Sequence, residues 1–188
     1  MWYDNYPYPT PLNLSSQALI DLGNECVAGL TMFEPSAPAE HSFESLVLCM
    51  EKIGFTIHRL DGFAHMHQIM KYDTIFHNRF HFETFVCITN GPISRKIELA
   101  HALAHFILHT DENMMLRSSL KTSKDKQIEK AETETYWFSL GVLLPTEQTQ
   151  RLINNGKTAE QIAKMFSVSQ RMAEQRIQLL QNYPPLLS

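Results

Sequence analysis

Apolar positions follow two periods along the chain, and the change from one to the other lays out its elements. Ser15 or Ser16 can cap a first helix in which Leu19, Ile20, Leu22 and Val27 recur at helical spacing until Gly29. The proline-bearing stretch 33–38 reads as a linker, and 42–53 as a second amphipathic helix that Gly54 is placed to end. From Phe55 the period falls to two, which predicts strands over 55–60, 74–80 and 82–89, with a turn at Asp61-Gly62. A small, mostly antiparallel sheet is expected from them. Asn90-Gly91-Pro92 breaks that pattern, Ser94 can cap the next helix, and helical spacing returns over 95–109. After a polar, irregular stretch over 110–125, a second long helix spans 126–143. It is acidic at first (Glu129, Glu132, Glu134), then apolar, and stops at Pro145. Three short helices over 147–154, 158–166 and 169–181 complete the pattern, parted by Asn155-Gly156 and Ser167-Val168. The opening residues 1–14, rich in proline and tyrosine, predict an extended arm that packs on the body through its aromatics.

A chain of 188 residues, 44% apolar, can bury a core without disulfide staples. Cys26, Cys49 and Cys87 are odd in number and widely spaced, which predicts reduced thiols and a cytoplasmic protein. No apolar run approaches the length of a membrane span, and the start carries no secretion signal pattern. A net charge of −4 gives no global footprint for nucleic acid.

Chemistry concentrates on the first long helix. His101 and His105 are four residues apart, so they share a face about 6 Å apart along the axis, where both imidazoles can reach one ion. Two histidines leave a third protein ligand to find, since catalytic zinc usually takes three and keeps a fourth position for water. The acidic start of the second long helix can supply it. Glu132 and Glu134, two apart, face different ways and cannot both point at the ion. His109 extends the series but has rotated further around the helix, so it is expected to pack or hydrogen-bond at the helix end. Glu98 leans away from the ion, and His65 with His67 read as solvated strand histidines. Asp111 and Glu112 have no feature that brings them to the site.

The stretch Lys96-Ile-Glu-Leu-Ala-His-Ala-Leu-Ala-His-Phe-Ile-Leu-His resembles the ImmA/IrrE family of zinc metallo-endopeptidases, whose usual form there is R-F-T-L-A-H-E-L-G-H-L-L-L-H. The second motif of that family, E-A-N-x-F-A-x-x-L-L-M-P, is similar to Glu134-Thr-Tyr-Trp-Phe-Ser-Leu-Gly-Val-Leu-Leu-Pro. The likeness runs from about residue 55 to residue 180 and includes a tail similar to a helix-turn-helix. It implies an α+β, zincin-like domain over 1–145, with 1–54 as its helical N-terminal part, and a helical C-terminal subdomain over 146–188. It implies zinc held by His101, His105 and Glu134, with Glu132 and then Glu129 as the alternatives. It also implies a protein substrate, a helix-turn-helix repressor whose cleavage switches on genes.

Departures from the family pattern carry as much weight. Ala102 stands where the catalytic glutamate of H-E-x-x-H belongs, Ala104 replaces the usual glycine, and Thr135-Tyr136 replace Ala-Asn. A positioned base contributes roughly 10²–10⁴ in rate, so this sequence is expected to cleave peptides weakly or not at all. The alternative expectation is a pseudo-peptidase that binds a transcription factor or another peptide without cutting it. Direct DNA binding through Arg171 and Arg176 of the tail is not expected, because acidic neighbours Glu160 and Glu174 offset the basic residues.

Overall fold

The computed structural model describes residues 12–29, 43–52, 54–60, 68–74, 79–87, 91–109, 116–117 and 126–182. The architecture is mostly helical, with α1 (Ser16–Gly29), α2 (Phe43–Lys52), α3 (Pro92–His109), α4 (Lys126–Leu143), α5 (Thr146–Asn154), α6 (Ala159–Phe166) and α7 (Gln170–Asn182). Four strands, β1 (Phe55–Leu60), β2 (Gln68–Thr74), β3 (Arg79–Cys87) and β4 (Leu116–Arg117), pair in the order β1-β3-β2-β4.

The sheet is mixed. β1 runs parallel to β3, with Phe55 beside Phe82, while β2 is antiparallel to both β3 and β4. Of the strand expected over 74–80, residues 75–78 lie outside the described residues; β2 ends at Thr74 and β3 begins at Arg79. β2 itself has the sequence Gln-Ile-Met-Lys-Tyr-Asp-Thr, whose weak alternation hides it from a period-two search. β4 lies inside the stretch expected to be irregular, and two residues are too few to show a period. The arm before residue 12 and the pair His65 and His67 lie outside the described residues, as do Asp111 and Glu112.

Helix α3 begins at Pro92, three residues before the expected start, because proline fits a first turn whose N–H groups have no helical partner anyway. Its apolar face (Leu99, Ala100, Leu103, Ala104) and that of α4 (Phe138, Leu140, Leu143) are buried together. Helix α1 crosses α4 at backbone contact. A Cβ on Gly141 would lie 2.2 Å from the Ile20 carbonyl oxygen, and one on Gly23 would lie 2.3 Å from that of Phe138. Only glycine at both places allows the approach, and it fixes α4 against the start of the chain.

The tail is built into the same core. Ile162, Phe166, Val168, Met172 and Ala173 belong to one buried cluster with Leu99, Leu103 and Phe138. Thr158 and Gln161 form a reciprocal capping box at the start of α6, and Ser167 closes the helix in the left-handed conformation at φ 52. Two buried cations tie the tail down. The Lys96 ammonium donates to the Phe166 carbonyl at the end of α6, and Arg176 Nε donates to the Leu144 carbonyl at 3.0 Å. Arg176 is fully buried, so its guanidinium is unavailable to a nucleic acid.

Candidate metal centre

Helices α3 and α4 face each other across the centre, and each contributes through its own spacing. His101 and His105, one turn apart on α3, bring their Nε2 atoms to 3.1 Å with the rings edge to face. Glu132 reaches them from α4, one oxygen 3.2 Å from His101 Nε2 and the other 3.3 Å from His105 Nε2. Ligand atoms of these three residues all lie within 4.8 Å of one another, the property of a group that can hold a metal ion.

The group has the donors and the spacing of a metal site. A tetrahedral ion such as zinc, with bonds of about 2.0–2.1 Å, separates its ligand atoms by about 3.3–3.4 Å; the two Nε2 atoms are 3.1 Å apart, and each has a different Glu132 oxygen at 3.2 or 3.3 Å. The donor set, two imidazole nitrogens and one carboxylate, is suited to zinc.

Protonation states agree with that fit. Burial pushes the His105 imidazole down from 6.5 to about 4, against the opposing hydrogen bond to Glu132, so the ring is neutral and can offer a lone pair. Burial acts to raise the Glu132 carboxyl, but hydrogen bonds from His101 and His105 outweigh it and hold the group down at about 2. A neutral imidazole and an ionised carboxylate are the forms a cation requires.

Glu134, the expected third ligand, is elsewhere. Two residues advance a helix by about 200°, so with Glu132 aimed at the histidine pair Glu134 points away from it. Its carboxylate is buried and accepts three hydrogen bonds: from Leu12 N at 2.8 Å, Asn13 N at 2.7 Å and His109 Nε2 at 3.0 Å. Burial acts to raise this carboxyl too, and the bond from His109 followed by the two backbone N–H groups brings the net shift below the ordinary value. Glu129 is exposed at the start of α4 and is not part of the group. Glu98 also lies outside it.

Ala102 follows His101 directly and is buried, 1% exposed, in the core cluster. Beside the centre, on the Glu132 side, a cleft of about 620 Å³ runs between α4 and the start of α7. Glu132 lies on its wall together with Tyr136, Trp137, Arg171, Met172 and Gln175, and the Tyr136 hydroxyl donates to Gln175 across it. The sequence pattern did not reveal this cleft. Its walls come from helices more than thirty residues apart.

Among the described residues, no helix is long and apolar enough to cross a membrane. No match is found among curated proteins. Residues 62–178, more than half of the chain, match the family model described as the IrrE N-terminal-like domain, a peptidase family, and that span contains the sheet from β2 onward, both helices of the centre and the tail into α7. The chain therefore belongs to the IrrE N-terminal-like family of peptidases.

Proposed function

We propose that this protein holds a zinc ion through His101, His105 and Glu132 and receives a segment of a helix-turn-helix transcriptional repressor in the cleft beside Glu132. The observation that carries the metal assignment is the convergence of His101, His105 and Glu132, whose ligand atoms all lie within 4.8 Å of one another. Zinc bound there would act as a Lewis acid on a peptide carbonyl and lower the pKa of water. The chain's own residues orient the ion and wall the cleft. Tyr136, Trp137 and Met172 offer apolar surface to a bound peptide, and Arg171 on the opposite wall offers a cation to an acidic side chain.

What the chain lacks is a base at position 102. Alanine can neither take a proton from water nor return one to a leaving amine, so cleavage by this sequence is slower by the roughly 10²–10⁴ that a positioned base supplies. The test is elemental analysis of the purified protein beside a His101→Ala/His105→Ala variant, followed by incubation of Ala102→Glu with a co-encoded repressor. About one zinc per chain, absent from the variant, is expected. Cleavage that needs both zinc and the restored glutamate would establish the peptidase scaffold, and a metal-free parent would refute the metal assignment.

One observation favours the binding role over the cutting role. Ala102 is packed into the core cluster and carries no group that can move a proton. On this account the protein grips its partner without hydrolysing it, with residues 146–188 serving as a docking and packing tail. Partner capture unchanged by Ala102→Glu would support it. Capture lost together with zinc would return the metal to the centre of recognition.

A further inference from the structure

Behind the three donors, a second row of side chains forms a line from a carboxylate to a ring nitrogen of His105. Glu134, an acceptor at both oxygens, receives His109 Nε2 at 3.0 Å, so the His109 proton is on Nε2. In the neutral ring His109 Nδ1 is then a lone pair, and it lies 3.3 Å from His105 Nδ1. Thr135 Oγ1 stands 3.5 Å from the same His105 nitrogen, and its one proton is already given to the Ala131 carbonyl at 2.7 Å. Both neighbours present lone pairs to His105 Nδ1; without metal the proton of the ring faces Glu132 at Nε2, and an ion on Nε2 would shift it to Nδ1, where both neighbours accept it. A neutral imidazole with its proton on Nδ1 carries its free lone pair on Nε2, the atom that faces His101 and Glu132.

We infer that Glu134 and His109 are positioning residues, a relay that holds His105 in the tautomer and orientation that presents Nε2 to the metal, and that the backbone at Leu12 and Asn13 holds the relay in place. Histidine ligands commonly give their second N–H to a carboxylate or carbonyl; here a second imidazole is inserted between the ligand and the acid. Two successive N–H groups, Leu12 and Asn13, converge on Glu134, and the left-handed Asn13 at φ 59 shapes the turn that lets them do so. Lys130 adds a bond from α4 to the Asn13 side chain, fastening the turn to the helix that carries Glu132. Every member except the turn is buried: Glu134 is 3%, Thr135 0%, His105 3% and His109 5% exposed. Water therefore does not substitute for a missing partner.

This inference rests on the zinc assignment above, and its test separates the two. Zinc affinity is measured by competition with a chromophoric chelator for the parent, His109→Leu and His109→Gln. Glutamine keeps a donor at one end and an acceptor at the other, as the relay requires, and leucine keeps only bulk. His109→Leu should weaken zinc by roughly 10–100-fold, and His109→Gln should recover most of the loss. Nitrogen-15 spectra of the unmutated, metal-free protein supply an arm that needs no variant: His109 should carry its proton on Nε2. A proton on His109 Nδ1 would overturn the relay, as would zinc binding by His109→Leu equal to the parent's, or failure of glutamine to do better than leucine. A parent that takes up no zinc would overturn the metal assignment and the relay with it.

Discussion

Glu132 and Glu134 offer a pair of substitutions whose effects should cross. Glu132→Ala removes one of three donors to the ion, a change larger than loss of an outer partner. Zinc binding should fall by more than about 100-fold, or more than about 2.8 kcal/mol. Its side chain is one-third exposed and, among the described residues, bonds to His101 and His105, so the metal-free protein should lose on the order of 1 kcal/mol or less. Glu134→Ala does the reverse. The carboxylate is buried under three hydrogen bonds, and its loss strands two backbone N–H groups and the His109 donor. At roughly 1–3 kcal/mol for each donor left unsatisfied, reduced where water enters the space vacated, about 3 kcal/mol or more of folding stability should disappear. Zinc affinity should fall only about 10–100-fold. Chelator competition measures the first quantity, and urea unfolding in excess chelator measures the second. If Glu134→Ala abolished zinc binding while leaving metal-free stability intact, the assignment of ligand and support would be reversed and the geometric reasoning refuted.

The remaining predictions concern the frame around the centre. Burial lowers the Lys96 ammonium from 10.5 to about 7, so between those values the unfolded chain binds the extra proton. The cost of burying the charge is full below pH 7, fades as pH rises and is gone above 10.5. Lys96→Met removes that cost but also gives up the bond to the Phe166 carbonyl, so relative to the variant the parent should gain stability as pH rises from about 7 towards 10; a pH-independent difference in urea midpoints would contradict this. Gly141→Ala drives a Cβ to 2.2 Å from the Ile20 carbonyl oxygen and should cost about 1–3 kcal/mol or more as α1 is pushed off α4, readable as a lowered melting temperature. Arg171→Glu, exposed on the cleft wall, should weaken capture of a repressor peptide with an acidic side chain while leaving zinc content unchanged. Equal capture by both proteins would place the peptide elsewhere.

The helices were legible because each carries a long run at one period between clear stops. Lys126–Leu143 has the same bounds in sequence and structure, set by a polar stretch before it and Pro145 after it. The histidine pair was legible for the same reason, as a spacing within one element. β2 escaped because its alternation is weak, and the parallel joining of β1 to β3 is a tertiary fact that no local pattern records. The third donor shows the limit most clearly. Helical geometry already said that Glu132 and Glu134 cannot serve one site together, but the choice depends on the rotation of α4 about its axis. That rotation is set by the close approach of α1 and α4 at Gly23 and Gly141, and by Leu12 and Asn13 claiming Glu134. Partners more than a hundred residues away decided it.

That separation bears on how the molecule is made. The bonds from Leu12 and Asn13 to Glu134 span 122 and 121 positions, so the turn at Leu12 and Asn13 waits for most of the polypeptide before it finds its partner. Contacts of such range form late, after loop closure has been met by other docking events, here the seating of α1 on α4. The relay behind His105 should thus be completed late, and the rise of zinc affinity in refolding protein would serve as a clock for that step.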